Sequence, residues 1–206
     1  GKNTLEKFKE KFPERFFMEG VSEAHLIGMA AGLALEGMIP YFNTITTFIS
    51  RRAYEQVAID LCLHNLPVRL LGSGGGLVYA PLGPTHLAIE DIALMRAIPN
   101  MTIVAPADAL EMKKLMLASL DYPGPIYIRI AKGGDPLVTN EEEFIFGKAY
   151  RYLEGKDALI ISTGICLKLS LDAAAELKAK NINVSILHCP TIKPLDVQTI
   201  LPLLEQ

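Results

Sequence analysis

The chain is short of several things at once. Among its 206 residues there is no tryptophan, only 7% are aromatic, and there are three cysteines and four histidines. Its 20 Lys and Arg are outnumbered by 23 Asp and Glu, for a formal net charge of −3, and the basic residues are scattered. A chain without a basic surplus or a basic stripe has no electrostatic footprint for nucleic acid, so nucleic acid is not expected as a partner. Long apolar runs are also missing: Glu, Asn, Gly or Pro interrupts each one before the ~18 residues that a membrane span needs. Gly1-Lys2-Asn3-Thr4 carries no apolar leader segment, and together these absences predict a soluble cytoplasmic protein with no membrane partner. Cys62, Cys166 and Cys189 are odd in number and far apart, which favours buried thiols in a reducing compartment over a disulfide framework. His64 and His188 have no ligand-type neighbour at metal-binding spacing, and neither a G-x-S-x-G elbow nor a P-loop occurs.

What is present is half hydrophobic residues with 16 Gly and 13 Pro, a globular composition. A folded chain of this size buries roughly 70% of the surface its unfolded form exposes, enough for one large core or two small ones. Apolar periodicity switches repeatedly between the helical and the strand template. Helices are predicted over 5–11, 22–36, 48–64, 89–97 and 109–120. Strands are predicted over 15–18, 39–43, 68–72, 101–104 and 126–130. Such alternation predicts an α/β fold, a mostly parallel sheet flanked by helices. Gly133-Gly134-Asp135-Pro136 through Glu141-Glu142-Glu143 breaks the pattern and reads as a linker. Beyond it, strands at 149–153, 158–162 and 184–187 and helices at 165–178 and 197–204 form the first part of a second α/β domain. Three strands are too few for a complete doubly wound sheet.

Four places could carry chemistry. Glu23 opens a helix in Gly20-Val21-Ser22-Glu23-Ala24-His25, where Ser22 is a natural cap and an acid is favoured by the helix dipole. Glu23 also leaves the carboxyl edge of a parallel sheet, where such folds hold ligands, so a ligand role stands beside the structural one. Leu71-Gly72-Ser73-Gly74-Gly75-Gly76-Leu77 follows a strand as a loop or tight turn and lacks the phosphate-cradle spacing. His86, in Gly83-Pro84-Thr85-His86, lies between that loop and a helix start and is the best acid or base among the histidines. Arg129 and Lys132 close a strand and could meet a phosphate or carboxylate, or form a solvated pair. Asp108, in Pro106-Ala107-Asp108, reads as a structural helix cap.

The order of these segments resembles the pyrimidine-binding domain of the transketolase group of thiamine diphosphate enzymes. Phe12-Pro13-Glu14-Arg15-Phe16-Phe17, Gly20 to His25 and Ala30-Ala31-Gly32-Leu33-Ala34 are similar to the corresponding run in 1-deoxyxylulose-5-phosphate synthases. So are Arg52-Ala53-Tyr54-Glu55-Gln56-Val57, Leu66-Pro67-Val68, Gly83 to His86, Ile98-Pro99-Asn100-Met101 and Pro106 to Asp108. Ile160-Ile161-Ser162-Thr163-Gly164 and Lys193-Pro194-Leu195-Asp196 resemble the start of the group's C-terminal domain. The resemblance implies a pyrimidine domain over 1–134, a linker over 135–146 and a partial C-terminal domain over 147–206.

It also implies roles. Glu23 matches the glutamate that hydrogen-bonds the aminopyrimidine ring nitrogen, a contact that assists deprotonation of the thiazolium carbon. Phe48 matches the aromatic that stacks on that pyrimidine, one residue further from Ala53 than expected, and Ile45 stands where transketolases have a second aromatic. His86 matches the histidine facing the substrate, and Arg129 one used on the substrate phosphate. Leu82 departs from the pattern, because an aspartate that reads a substrate hydroxyl is expected there. Gly74-Gly75-Gly76 replaces an expected histidine or arginine. Leucine accepts no hydrogen bond, so sugar recognition has to differ. The family's first strand and its Gly-Asp-Gly domain, which holds diphosphate and Mg2+, are not in this sequence. The implied protein is a split subunit or fragment of a thiamine diphosphate enzyme that moves a two-carbon ketol unit between sugar phosphates. It would work as a homodimer or next to a separate diphosphate-binding subunit. Condensation of pyruvate with glyceraldehyde 3-phosphate, a 2-oxo acid dehydrogenase β-type subunit and a non-catalytic partner subunit are the other readings.

Overall fold

A computed structural model describes residues 5–140 and 143–205; Gly1 to Thr4, Glu141-Glu142 of the acidic run and Gln206 lie outside the described residues. The first half comprises α1 (Glu6–Lys11), α2 (Glu23–Leu35), β1 (Tyr41–Ile45), a helical stretch containing α3 (Tyr54–Gln56), and β2 (Arg69–Ser73). It continues with α4 (Asp91–Ala97), β3 (Thr102–Val104), α5 (Ala109–Ala118) and β4 (Ile126–Ile130). The second half comprises β5 (Tyr150–Leu153), β6 (Ala158–Ser162), α6 (Cys166–Lys178), β7 (Val184–His188), β8 (Thr191–Lys193) and α7 (Val197–Leu204).

β1, β2, β4 and β3 run parallel in that spatial order, in a five-stranded sheet that β8 completes. Tyr41 to Ile45 align with Arg69 to Ser73, which in turn align with Ile126 to Ile130. Ile126, Tyr127 and Ile128 are all buried, because a parallel strand covered by helices on both faces must be apolar on both. One core lies under α2 and the 49–62 stretch, with Ile27, Ala30, Ala31, Ile49, Val57 and Leu61; a second, around Val104, Leu115, Ile128 and Phe144, lies elsewhere along the same strands. The α/β expectation therefore holds for the first unit.

The second unit is closer to the first than its composition break suggests. Its own sheet has three strands in the order β5-β7-β6, but β8 pairs antiparallel with β3, aligning Lys193 with Ile103 and Thr191 with Val104. The connecting segment is packed as well, with Phe144 buried and Phe146 against the second core.

Four local expectations are corrected. Residues 15–18 do not form a strand: Pro13–Arg15 is a 3₁₀ turn, and among the described residues no strand pairs with Phe16 to Met18. The predicted helix over 48–64 is divided, with wide i→i+5 turns at Phe48–Arg52 and Val57–Cys62 flanking α3. The Ser50 hydroxyl donates to the Thr46 carbonyl at 3.0 Å, a back-bond of the kind that bends helices. Ser22 does not cap α2 with its side chain, because its Oγ donates backwards to the Glu19 carbonyl at 3.0 Å. Cys62 and Cys189 are buried, and burial pushes their thiols up to about 12 and about 11, whereas Cys166 is exposed.

Candidate functional site

α2 precedes β1 and runs back along the sheet, so its first residue lies at the edge where the parallel strands end. Glu23 is that residue, only 5% exposed, with Ala24 to Leu35 packed behind it. β1 ends at Ile45, and the wide turn that follows brings Phe48 and Arg52 to the same edge. Arg52 Nη1 donates to Glu23 Oε2 at 2.8 Å, and its guanidinium lies 4.0 Å from the Phe48 ring centroid. Phe48 meets His86 edge to face, with centroids 5.3 Å apart. Glu23, Arg52, Phe48 and His86 thus form one row, assembled from residues far apart in sequence.

His86 is held on both sides. Thr85 Oγ1 lies 2.9 Å from its Nδ1, and the Thr47 hydroxyl donates to the Thr85 carbonyl at 2.9 Å. Arg51 pins the same loop: it pairs with Glu90 and donates to the carbonyls of Pro84 and Leu87, each at 2.8 Å. Held beside that guanidinium, the Glu90 carboxyl titrates below its ordinary range. Ile45, the last residue of β1, is half-buried.

Arg129 stands apart from the row, on β4. Its Nε donates to Asp91 Oδ2 at 2.8 Å and its Nη2 to the Ala88 carbonyl at 3.2 Å. Tyr127 donates its hydroxyl to the same Asp91 oxygen at 2.7 Å, and burial, with Asp91 beside it, raises that phenol well above its ordinary value. The glycine-rich loop explains itself here. A Cβ on Gly75 would lie 2.7 Å from Arg129 Cζ, and one on Gly74, at φ +80°, would lie 2.0 Å from the Tyr79 ring. Gly76 bridges Ala88 in antiparallel fashion, so the loop is a close-packed cover over Arg129. Lys132 is exposed beyond the end of β4, and Leu82 is exposed on a 3₁₀ turn.

Sequence reasoning missed three residues. Arg52 was legible only as part of a motif, although its spacing of four from Phe48 on a helical stretch is the spacing at which side chains meet. Asp91 had no signal beyond its helix start. Glu111 meets His188 from 77 positions away: Glu111 Oε2 lies 3.1 Å from His188 Nε2 and accepts from the Ala107 N–H at 2.7 Å. The lack of a nearby partner for His188 therefore held in sequence but not in space. Among the described residues, no group of three His, Cys, Asp or Glu could hold a metal ion, and no helix is long and apolar enough to cross a membrane.

Known proteins resemble this chain over nearly its whole length. The family model of the transketolase pyrimidine-binding domain matches residues 1–134, and that of the transketolase C-terminal domain matches 147–206. One of the subunits that make up the apulose-4-phosphate transketolase of Phocaeicola vulgatus (strain ATCC 8482) is 37% identical over 202 residues, 97% of this chain and 65% of that protein. The 1-deoxy-D-xylulose-5-phosphate synthase of Rippkaea orientalis (strain PCC 8801 / RF-1) is 38% identical over 207 residues, 98% of this chain and 32% of that protein. A solved split-gene transketolase, described as an inactive β4 tetramer, superposes with a TM-score of 0.88 at 34% identity, covering 97% of this chain and 66% of that one. The chain thus spans less than two thirds of the length of the relatives it matches. With both of its halves matched in order and the whole superposing on a split-gene relative, the chain belongs to the transketolase family.

Proposed function

We propose that this chain supplies the pyrimidine-binding half of a thiamine diphosphate-dependent transketolase, and that a separate subunit supplies the diphosphate and Mg2+ half. The observation that carries the reading is the row itself: a buried carboxylate at a helix start, an aromatic ring and a histidine at one edge of a parallel sheet. The row fits the cofactor's aminopyrimidine. Glu23 Oε1 has no hydrogen bond among the described residues, and Phe48 offers a ring beside it.

When bound, thiamine diphosphate supplies a nucleophilic thiazolium carbon. Glu23 would hold a proton against the pyrimidine nitrogen, Phe48 and Ile45 would orient the ring, and His86 would move protons at the substrate's oxygen. Arg129 and Lys132 would meet the substrate phosphate, with Asp91 fixing the angle of the Arg129 fork. Leu82 leaves the position expected to read a hydroxyl apolar, so the donor's hydroxyl beside the carbonyl is read elsewhere. A split assembly is supported by one relative named as a transketolase subunit and another named as a split-gene β4 tetramer.

The test is to co-purify the chain with a Gly-Asp-Gly subunit and assay it with xylulose 5-phosphate, pyruvate and glyceraldehyde 3-phosphate in combination. Ketol transfer from the ketose phosphate is expected. Condensation of pyruvate would move the reading to a deoxyxylulose-phosphate synthase. No turnover with cofactor bound would leave a partner subunit without catalysis.

A further inference from the structure

Arg52 is placed unlike the other arginines of this region. Arg51 reaches Glu90 and two backbone carbonyls, and Arg129 reaches Asp91 and a carbonyl under a glycine cover. Each of those is held by several bonds. Arg52 has one hydrogen-bond partner among the described residues, the Glu23 carboxylate, and one stacking partner, Phe48. Its side chain is 47% exposed while the Glu23 side chain is 6% exposed. The carboxylate is fixed and the cation is free to leave.

We infer that Arg52 is a placeholder for the cofactor's aminopyrimidine: its guanidinium takes the carboxylate and the aromatic ring that the incoming pyrimidine needs, and binding displaces it. This rests on the reading of Glu23 and Phe48 proposed above. The chemistry of the two groups matches. A guanidinium is planar, donates in its own plane and stacks by its face, so a single group satisfies Glu23 and covers Phe48 together. An aminopyrimidine would occupy the same two groups, its ring nitrogen accepting the proton held by the Glu23 carboxyl and its face lying on the aromatic. A buried carboxylate without a partner is costly, so Glu23 needs one whenever the pyrimidine is away, and a guanidinium tethered four residues beyond Phe48 is always at hand. The consequence is an affinity held below its intrinsic value by the fraction of molecules in which Arg52 is seated.

The experiment uses the complex with the diphosphate-binding subunit at fixed magnesium. Thiamine diphosphate affinity is measured by calorimetry and association by stopped flow, for the parent, Arg52→Met, Arg52→Lys and Glu23→Gln. Arg52→Met keeps the aliphatic stem and removes both contacts, and it is expected to bind about 3- to 10-fold tighter and associate faster. Arg52→Lys, which pairs but does not stack as a plane, is expected to fall between. Weaker or unchanged affinity in Arg52→Met overturns the inference. So does a fall of more than about 5 °C in its unfolding midpoint, the mark of an anchor. Glu23→Gln separates the two levels. If it changes neither affinity nor turnover, the cofactor reading fails; if it weakens binding while Arg52→Met does not tighten it, only the displacement fails.

Discussion

Two acidic clusters, one at the sheet edge and one where the two units meet, use their carboxylates in opposite ways. At the junction, Asp108 Oδ1 accepts from the N–H groups of Leu110 and Glu111 and from the Thr139 hydroxyl, while Oδ2 accepts from the N–H groups of Val138 and Thr139. Glu111 next to it takes Ala107 and His188. Burial alone would raise the Asp108 carboxyl, but those backbone donors outweigh it and hold the group below its ordinary value. At the edge, Glu23 has one half-exposed arginine; among the described residues, buried Glu90 Oε2 and, beside Arg129 and apart from the row, buried Asp91 Oδ1 have no hydrogen-bond partner. A carboxylate with both oxygens saturated, as in Asp108, fixes geometry; one with a free oxygen and a half-exposed partner, as in Glu23, is available for chemistry.

If that contrast is right, changes at the edge should remove activity and changes at the junction should remove stability. The largest effect is expected from Glu23→Gln in the assembled enzyme, a loss of at least ~100-fold in turnover with little change in the unfolding midpoint. Steady-state kinetics and thermal unfolding on the same preparation read both. Glu111→Leu strands the Ala107 N–H and the His188 ring inside the junction, and urea unfolding should show a loss of about 1–3 kcal/mol for the orphaned groups. Asp108→Asn keeps one acceptor oxygen, enough for the helix cap, but turns its NH2 toward the N–H groups of Val138 and Thr139, for about 1–3 kcal/mol in the same assay. The sign with pH follows: a carboxyl depressed in the folded state stabilises above its ordinary value. That contribution is lost as pH falls through the folded value, below ~4, and Asp108→Asn should flatten the acid side of the stability profile. Gly75→Ala puts a Cβ 2.7 Å from Arg129 Cζ and should disturb its pairing with Asp91, raising KM for a phosphorylated substrate by about 5-fold and kcat less. Leu82→Asp, at a position 56% exposed, should leave stability within ~0.5 kcal/mol while shifting preference toward hydroxylated ketose phosphates.

The sequence disclosed the edge better than the junction, and the reason is distance along the chain. Glu23 and Phe48 sit in local patterns, a helix start and a post-strand turn, whose physics acts over a few residues. Their convergence required only that a parallel sheet present its carboxyl ends together. The Glu111 and His188 contact spans 77 positions and β8 crosses to the other sheet, so neither had a local signal. Asp108 was half legible: its cap is local, but its second oxygen holds Val138 and Thr139, thirty residues on. Ser22 shows the limit of local reading even at the edge, because a hydroxyl at a cap position had a second acceptor, the Glu19 carbonyl, within reach.

The central claim is that this chain holds one half of a shared cofactor site. Calorimetric titration of thiamine diphosphate with magnesium tests it most directly, on the chain alone and then on the chain with a diphosphate-binding subunit. The account predicts no tight binding to the chain alone and tight, magnesium-dependent binding once the second subunit is added, weakened by Glu23→Gln. Tight magnesium-dependent binding to the isolated chain, or binding by the complex that is indifferent to Glu23→Gln, would contradict it.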